Sequence, residues 1–238
     1  MKKAIIIGAT SGMGKSLAQL LVKNNYKVGI TGRRLDLLIE MKQEDPNAYF
    51  IQSFDVSDTT AVVEKLEALT TELGGLDLFI ISAGIGDINN TLNYEVEKRT
   101  IDTNIVGFTA VADWAYNYFE KQKLGHLVGI SSIAGLWGSH LAPAYNASKA
   151  YQINYLEGLR KKANKSKLPI VVTDIRPGLV ATNMAKGEGL FWVMPVEKTV
   201  RQIFNAIEAN RSVVYVTRRW KFIAALLNWM PRRLFDRM

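Results

Sequence analysis

Short runs of β-branched and aliphatic residues alternate along this chain with longer amphipathic stretches, and this alternation constrains the fold more than any other feature. Strand-like runs include "AIIIG" from Ala4, "KVGIT" from Lys27 and "LDLFIIS" from Leu76, and helix-like stretches such as Lys15 to Asn24 and Thr59 to Leu73 lie between them. Strands that alternate with helices predict a parallel sheet with helices on both faces. Nearly continuous apolar strands are typical of a sheet that is buried on both sides. We therefore expect a doubly wound α/β fold.

The same pattern continues through the second half of the chain. It predicts helices over about Glu95 to Lys121, Pro143 to Ala163 and Pro195 to Ala209, and strands at "HLVGIS", "LPIVVTDI" and "SVVYVT". No linker, low-complexity segment or internal repeat interrupts it. We expect one domain over residues 1–217, followed by a basic amphipathic C-terminal extension over residues 218–238.

Composition excludes several classes of protein. With 238 residues, 48% of them hydrophobic, the chain can bury a large core in one unit. It has no cysteine, which excludes disulfides and thiolate metal sites and is compatible with a reducing cytoplasm. The apolar run Ala4 to Ile7 is too short for a signal peptide, and no apolar stretch approaches the roughly 20 residues of a membrane-spanning helix. We expect a cytoplasmic protein.

The net charge of +8 is unevenly distributed. Five of these eight positive charges belong to the last 21 residues, where six basic residues stand against Asp236. The rest of the chain is only weakly basic, so we expect a basic tail and no nucleic-acid partner.

Three glycines follow the first predicted strand and lead directly into a helix. Gly8, Gly12 and Gly14 form a G-x-x-x-G-x-G turn, "GATSGMG". Glycines let the backbone turn sharply and approach a pyrophosphate, whose charge then faces free N–H groups at the helix N-terminus. A glycine-rich turn without a ligand is the alternative. The spacing differs from that of a Walker-type phosphate loop, because no glycine lies five residues before Gly14.

A phenol and an ammonium group lie four residues apart in "YNASK". On a helix, residues i and i+4 share one face, so the Tyr145 oxygen and the Lys149 nitrogen can address one small volume. This pair suits a proton donor beside a charge that tunes it. An ordinary Tyr/Lys pair on a helix surface is the alternative.

These motifs together resemble the short-chain dehydrogenase/reductase family. The resemblance rests on the glycine turn after the first strand, Ser132 thirteen residues before Tyr145, the "YNASK" motif and "RPGLVATNM" from Arg176. It covers the chain up to about Thr217, and the motifs occur in the expected order. It implies a Rossmann-like fold and an oxidoreductase that transfers a hydride between NADP(H) and a carbonyl or secondary alcohol.

The resemblance also implies roles for four residues. Tyr145 exchanges a proton with the substrate oxygen, and Lys149 lowers the pKa of the phenol and holds the nicotinamide ribose. Ser132 hydrogen-bonds the substrate oxygen, and Asn104 links the lysine to solvent through a water. A catalytically silent dinucleotide sensor on the same fold is the alternative, although a sensor does not need these proton-transfer groups.

Residues after the second strand indicate the dinucleotide. The sequence "ITGRR" has no acid there, and a guanidinium can grip a 2′-phosphate, so Arg33 favours NADP(H) while Arg34 is expected to cap the following helix. By resemblance, further cofactor contacts come from Gly8, Thr10, Ser11, Gly12, Met13, Gly14, Asp55, Val56, Ala83, Gly84, Tyr145, Lys149, Pro177, Gly178, Val180 and Thr182. Ser82 stands where the family usually has asparagine, which is a departure in a sheet-stabilising position.

Two segments bear on the substrate and on partners. By resemblance, "NMAKGEGLFWVMP" is a substrate lid whose apolar residues Leu190 to Met194 face Leu136 and Trp137, which suggests an apolar or long-chain carbonyl substrate or simple packing of the lid. The tail has an apolar helical face from Phe222 to Met230 flanked by basic residues. It is expected to pack on the protein or to lie on an anionic membrane surface, as in a membrane-associated lipid-modifying reductase. The family also implies a homodimer or homotetramer.

Overall fold

The computed structural model describes residues 1–182, 192–217, 219, 220 and 222. Within this part of the chain, seven parallel strands form one sheet in the order β3-β2-β1-β4-β5-β6-β7. The strands are β1 (Lys2–Ile7), β2 (Tyr26–Gly32), β3 (Tyr49–Ser53), β4 (Leu78–Ile81), β5 (Gly125–Ile130), β6 (Ile170–Pro177) and β7 (Val213–Val216). The predicted doubly wound, Rossmann-like α/β fold is confirmed.

Helices connect the strands. They are α1 (Gly12–Lys23), α2 (Leu35–Glu44), α3 (Thr59–Leu73), α4 (Tyr94–Ile101), α5 (Phe108–Gln122), α6 (Pro143–Ser166) and α7 (Val196–Glu208). The single helix predicted from Glu95 to Lys121 is interrupted by a π-helical stretch, Asp102–Gly107, which joins α4 to α5. Single-turn π-helical insertions occur frequently at functional sites.

Alternate residues of the strands point to opposite faces and fill two separate cores. In β1, Ala4 and Ile6 pack in one core, and Ile5 and Ile7 pack in the other. The first core takes its helical residues from α1, α2 and α7, and the second takes them from α3, α5 and α6. Helices on both faces bury the sheet, which explains why the strands read as nearly continuous apolar runs.

The strand order places a topological switch point between β1 and β4. The chain leaves β1 toward β2 and β3 on one side, and β4 to β7 continue on the other side. In such sheets the loops at the carboxyl ends of the strands separate at this point and leave a crevice in which ligands bind. The glycine turn after β1 and the segment Ser82-Ala83-Gly84 after β4 both lie at this crevice.

The C-terminal segment begins as part of the folded unit. Trp220 is only 5% exposed, whereas Phe222 is 76% exposed. The remainder of the predicted apolar face, with Ile223, Leu226, Leu227, Trp229 and Met230, lies outside the described residues, as do most of the basic residues of the tail. Across the described residues, no helix is long and apolar enough to cross a membrane.

Candidate active site

The turn between β1 and α1 has a backbone that only glycine fits at two positions. Gly8 has a φ of 84°, in the left-handed region, and a Cβ there would collide with the backbone of Ala83. A Cβ at Gly14 would collide with the carbonyl group of Gly8. The turn is therefore closed on itself, and α1 begins at Gly12 without an acidic residue in its first turn. A helix start of this kind favours a bound anion.

A cleft of about 640 Å³ opens above this turn. Eleven of the residues predicted to bind the cofactor line it: Gly8, Thr10, Ser11, Gly12, Met13, Arg33, Asp55, Val56, Ala83, Gly84 and Thr182. The other six, Gly14, Tyr145, Lys149, Pro177, Gly178 and Val180, do not line it. Lys15 and Arg34, which were not predicted to bind the cofactor, also line the cleft.

The two arginines after β2 have different partners. Arg33 Nη1 lies 3.4 Å from Asp55 Oδ2, and the Arg33 side chain is 64% exposed. Arg34 Nη2 donates to Thr10 Oγ1 at 2.7 Å and to Ser11 Oγ at 2.9 Å. The backbone of Arg34 occupies the N-cap position of α2, as expected, but its guanidinium reaches the glycine turn. Two cations therefore border the adenosine end expected for a dinucleotide in this cleft.

Asp55 lines the same end of the cleft, beside Arg33. Burial tends to raise the pKa of its carboxyl group, but hydrogen bonds from the Ser57 backbone and hydroxyl, together with the charge of Arg33, hold the pKa below its usual range. A carboxylate fixed in this way also accepts the Arg33 ion pair. Arg33 therefore lines the cleft with its guanidinium paired to this carboxylate.

The segment after β4 lies between the cleft and two of the predicted catalytic residues. Gly84, Ile85 and Gly86 line the cleft. On their other side, a Cβ at Gly84 would lie 3.4 Å from Lys149 Nζ, and a Cβ at Gly86 would collide with the ring of Tyr145. The small residues therefore let the phenol and the ammonium group approach the cleft closely from α6.

Burial dominates the ionisation of Tyr145. It raises the pKa of the phenol, and a hydrogen bond with Ser132 opposes part of the rise. This direction is opposite to the expected lowering by Lys149, whose Nζ lies 5.8 Å from the centre of the tyrosine ring. The phenol is therefore protonated at neutral pH and can donate a proton or a hydrogen bond to a carbonyl oxygen.

Lys149 is only 5% exposed, although it carries an ionisable group. Burial lowers the pKa of Lys149 to about 8, and the charge of Asp174 on β6 opposes this change. Its Nζ donates to the carbonyl oxygen of Ile130 at 3.2 Å and to Gln152 Oε1 at 2.9 Å. The ammonium group is therefore held in place at the end of β5, below the segment that lines the cleft.

Ser132 connects the predicted catalytic residues to the segment after β6. It begins the 3-10 turn Ile133–Leu136, and its Oγ accepts a hydrogen bond from the Ala134 N–H at 3.1 Å. The same hydroxyl lies 3.4 Å from the carbonyl oxygen of Pro177. Ser132 therefore lies between Tyr145, to which it is hydrogen-bonded, and the carbonyl group of Pro177.

Asn104 lies on the π-helical stretch and is completely buried. Its Oδ1 accepts a hydrogen bond from the Ile85 N–H at 2.9 Å. Its Nδ2 donates to the Ile85 carbonyl oxygen at 2.7 Å and to Ser148 Oγ. Its backbone carbonyl accepts from Gln152 Nε2 at 2.9 Å. The Gln152 side chain thus joins the Asn104 backbone to Lys149, and the water link predicted for Asn104 stays a prediction.

Gln152 is a site residue that the sequence reasoning missed. It lies three residues after Lys149 on α6, and the i, i+3 spacing puts both side chains on one helix face. The same spacing argument that joined Tyr145 to Lys149 could have found it. An uncharged amide on a long helix gave no other signal.

The start of α6 is fixed by two further polar residues. Glu97 Oε2 accepts from the Ala144 N–H at 2.8 Å, which satisfies a free donor in the first turn of the helix. Asn146 Nδ2 donates to the carbonyl oxygens of Ala134 and Trp137 at 2.9 and 3.0 Å. These bonds tie the helix that carries Tyr145 to α4 and to the 3-10 turn after Ser132.

The segment after β6 contacts both the glycine turn and the C-terminal segment. Thr182 lies against Gly12, where a Cβ on the glycine would be 3.4 Å from the threonine methyl group. A Cβ at Gly178 would collide with the indole of Trp220, whose ring centre is 6.1 Å from that of Trp192. Val180 pairs with Met194 in an isolated bridge. Leu190 and Phe191 of the expected lid lie outside the described residues.

The described part of the chain has no group of three or more histidine, aspartate or glutamate side chains that could hold a metal ion. His126 is buried, and its Nε2 lies 2.8 Å from Thr173 Oγ1, so this histidine has a structural partner.

Comparisons with known proteins agree with this geometry. A family model described as short chain dehydrogenase matches residues 2–190. An uncharacterized oxidoreductase of Mycobacterium tuberculosis is 31% identical over an alignment that covers 99% of this chain and 96% of the relative. An NADP-dependent 3-hydroxy acid dehydrogenase of Escherichia coli is 30% identical and covers 74% of this chain and 71% of the relative.

A solved structure shows the same architecture. The closed form of a serine dehydrogenase complexed with NADP+ superposes with a TM-score of 0.81 at 25% sequence identity, over 90% of this chain and 94% of that chain. Family model, relatives and architecture agree, and the chain belongs to the short-chain dehydrogenase/reductase family.

Proposed function

We propose that the protein is an oxidoreductase that transfers a hydride between NADP(H) and a carbonyl or secondary alcohol, with Tyr145 as the acid/base. One observation carries this proposal. Ser132, Tyr145 and Lys149 converge behind the small segment Gly84 to Gly86, which also lines the dinucleotide-sized cleft. A substrate carbonyl beside this segment can be polarised by the two hydroxyl groups while the bound nicotinamide supplies or accepts the hydride.

The protonated form of Tyr145 is the form that reduction of a carbonyl requires. Because burial keeps the Tyr145 phenol protonated, it can donate its proton to the alkoxide that forms when a hydride reaches the carbonyl carbon. Ser132 stabilises the developing negative charge through its hydroxyl group. The Lys149 ammonium favours the phenolate that remains, since opposite charges at short range stabilise each other. Oxidation of the alcohol uses the same groups in the opposite direction.

Two features of the cleft support NADP(H) as the dinucleotide. Arg33 and Arg34 directly follow β2 and line the cleft, at the position where an acidic residue would favour a dinucleotide without the 2′-phosphate. Arg33 is assigned to the 2′-phosphate, and Arg34, which bonds Thr10 and Ser11, holds the glycine turn from the same side. The names of the Escherichia coli relative and of the NADP+-bound serine dehydrogenase agree with this choice.

An apolar substrate suits the surroundings of the catalytic residues. Trp192 and Val193 are 49% and 38% exposed at the end of the expected lid, and Leu136 and Trp137 follow Ser132 in the 3-10 turn and just after it. Leu136 and Trp137 thus put apolar side chains close in sequence to the Ser132 hydroxyl group, and Trp192 and Val193 add exposed apolar surface on the expected lid. Chain length of the carbonyl compound should therefore control the Michaelis constant more than the turnover number.

The direct test is NADPH consumption by the full-length protein over a panel of aldehydes, ketones and 3-oxo acids graded by chain length. The proposal predicts turnover that depends on the carbonyl compound, with a lower KM for longer apolar chains. A protein that binds NADPH in a fluorescence titration and reduces none of the panel would be a dinucleotide sensor. That result would end the enzymatic proposal.

An aromatic surface on α5 and α6 suits the oligomer that the family suggests. Trp114 stacks on Tyr118 with ring centres 5.4 Å apart, and Tyr151 stacks on Tyr155 at the same distance. All four side chains are half-buried and pack against the second core. We assign this surface, defined by these four residues, to the interface of a homodimer or homotetramer.

We propose that the chain divides at Thr217 into a catalytic domain and a C-terminal extension, and that the start of the extension packs on the domain. The extension 218–238 starts against the catalytic unit, because Trp220 is buried on Gly178. This contact supports packing on the protein for the start of the extension, ahead of the membrane-surface alternative. Flotation with anionic liposomes separates the two ideas, and packing predicts that the full chain stays in the soluble fraction at low salt.

A further inference from the structure

Gln152 is completely buried and uses both ends of its amide within the site. Its Oε1 accepts a hydrogen bond from Lys149 Nζ at 2.9 Å, and its Nε2 donates to the backbone carbonyl of Asn104 at 2.9 Å. The amide therefore joins α6 to the π-helical stretch through one side chain. Because a buried amide is costly unless it is hydrogen-bonded, one that is bonded at both ends in this position fixes its neighbours.

We propose that Gln152 is a positioning residue of the site, whose amide holds the Lys149 ammonium group against the π-helical stretch and directs it toward the cleft. This inference rests on the proposed function for its catalytic consequence. The geometric part, the orientation and charge of Lys149, stands independently of any substrate.

The hydrogen bonds of Lys149 explain how its ammonium group is oriented toward the cleft. An ammonium group has three N–H donors and no acceptor. The described residues give it two acceptors, the Ile130 carbonyl oxygen and Gln152 Oε1. Two fixed N–H groups determine where the third one points, and Gly84, which lines the cleft, lies next to Nζ. Without Gln152, the ammonium group could rotate about the end of its side chain.

Gln152 also supports the charged form of Lys149. Burial favours the neutral amine, and an amide oxygen that accepts from the ammonium group favours the charged form. An amide does not titrate near neutral pH, so Gln152 acts by holding Lys149 and does not relay protons.

Several charged or titratable groups on the elements packed around Lys149 have partners of their own. Tyr145 faces it from α6, and Asp174 on β6 is paired with Arg176 at 2.6 Å. On α4, Glu97 bonds the start of α6, and on the π-helical stretch, Asp102 pairs with Lys98. Substitution of Gln152 leaves these pairs in place, so a change in the Lys149 pKa can be attributed to the loss of the Gln152 contact.

Two substitutions with opposite expected effects test the proposal. Gln152→Leu removes the acceptor and keeps the volume, so the charged form of Lys149 is disfavoured. The loss of one hydrogen bond to a charged group predicts a pKa of Lys149 that is about one unit lower. Gln152→Glu puts a carboxylate at the same place and predicts a pKa that is about one unit higher.

Gln122→Leu is the matched control. Gln122 Nε2 also donates to two backbone carbonyls, those of Leu76 and Leu124, at 2.8 and 2.7 Å, but it lies at the end of α5 and has no bond to Lys149. This variant loses a comparable structural amide and should leave the ionisation of Lys149 unchanged.

Two measurements are made on the full-length protein. The first is kcat for reduction of the best carbonyl compound from about pH 6 to 10. Its alkaline limb reports loss of the Lys149 proton in the enzyme–NADPH–substrate complex, because the Lys149 pKa is about 8 whereas burial holds the pKa of Tyr145 above its ordinary value. The second is the Lys149 pKa by NMR on protein labelled in lysine with 13C and 15N, with the signal assigned by its loss in Lys149→Met.

The expected result is an alkaline limb and an NMR pKa that both move to lower pH in Gln152→Leu and to higher pH in Gln152→Glu, with Gln122→Leu equal to wild type. Profiles of the Gln152 variants that superpose on wild type would overturn the proposal. If Gln152→Leu does not fold, the direction of the shift in Gln152→Glu decides alone. If the wild-type protein reduces no carbonyl compound, the proposed function fails, and the NMR pKa still decides the role of Gln152.

Discussion

Replacement of Arg33 by alanine tests the choice of dinucleotide. Arg33 is the cation that we assign to the 2′-phosphate, and its side chain is 64% exposed beside Asp55. A hydrogen bond to a charged group contributes about 1.5 to 3 kcal/mol, and solvent exposure of Arg33 puts the value at the lower end. A loss of about 1.5 kcal/mol corresponds to roughly tenfold weaker NADPH binding. NADH has no 2′-phosphate and should lose little.

The loss for NADPH has a second source in the structure. Removing Arg33 leaves the Asp55 carboxylate, 3.4 Å from the former guanidinium, without this ion pair. An uncompensated carboxylate repels a phosphate, so the effect on NADPH should not fall below the tenfold value. Arg34→Ala acts differently, because Arg34 bonds Thr10 and Ser11 in the glycine turn that both dinucleotides share. It should weaken NADPH and NADH together.

The assay is a fluorescence titration of NADPH and of NADH with the wild type, Arg33→Ala, Arg34→Ala and Arg201→Ala. Arg201 is an exposed arginine on α7 that does not line the cleft, so its replacement controls for a general loss of positive charge. Equal losses of NADPH and NADH affinity in Arg33→Ala would refute the assignment of Arg33. A selective loss in Arg34→Ala alone would move the 2′-phosphate to Arg34.

Three further predictions concern acid stability, the C-terminal segment and assembly. Burial lowers the pKa of His126 to about 4, so the unfolded state binds its proton first as pH falls below about 6.5. Urea unfolding should therefore show a contribution from His126 of up to about 3 kcal/mol that is present above this pH and lost by about pH 4, and a His126→Gln variant should lack it. A chain that ends at Thr217 loses buried Trp220 and should be less stable by about 3 kcal/mol and bind NADPH more weakly. Light scattering at micromolar concentration should show a dimer or tetramer, and Trp114→Ala should shift it toward monomer.

Each of these has an outcome that contradicts it. A His126→Gln protein with the same pH dependence of unfolding as wild type would remove the histidine from acid denaturation. A truncated chain with unchanged stability and NADPH affinity would show that the packing of Trp220 on Gly178 has no energetic weight. A wild-type monomer would mean that the aromatic surface on α5 and α6 packs only against its own core.

The sequence was sufficient for the sheet because the strands are marked by local composition. A run such as "AIIIG" can be buried on both sides only in a sheet covered by helices, and the structure places its alternate residues in two cores. The interruption at Asp102–Gly107 could not be predicted in this way, since a stretch of six residues is too short to change the hydrophobic pattern of the helices on either side. Its position depends on the contact of Asn104 with Ile85, which are 19 residues apart.

Backbone shape at the candidate site can be read from the sequence, whereas the effects of burial cannot. A Cβ at Gly8 or Gly14 would collide with neighbouring backbone, and the spacing of the glycines in the sequence already indicates a tight turn. The direction of the Tyr145 pKa was predicted wrongly, because the sequence shows that Lys149 is near but not how completely both groups are removed from water. Gln152 was missed for the same reason, since its importance comes from burial and from two partners on different elements.

The central claim is that Tyr145 transfers the proton while NADPH supplies the hydride. The most direct measurement is kcat for reduction of the best carbonyl compound by Tyr145→Phe, which keeps the ring against Gly86 and removes only the hydroxyl group. The account predicts a fall in kcat of about 100-fold or more, with NADPH affinity close to that of the wild type. Ketone reduction by Tyr145→Phe at a rate close to that of the wild type would contradict the account.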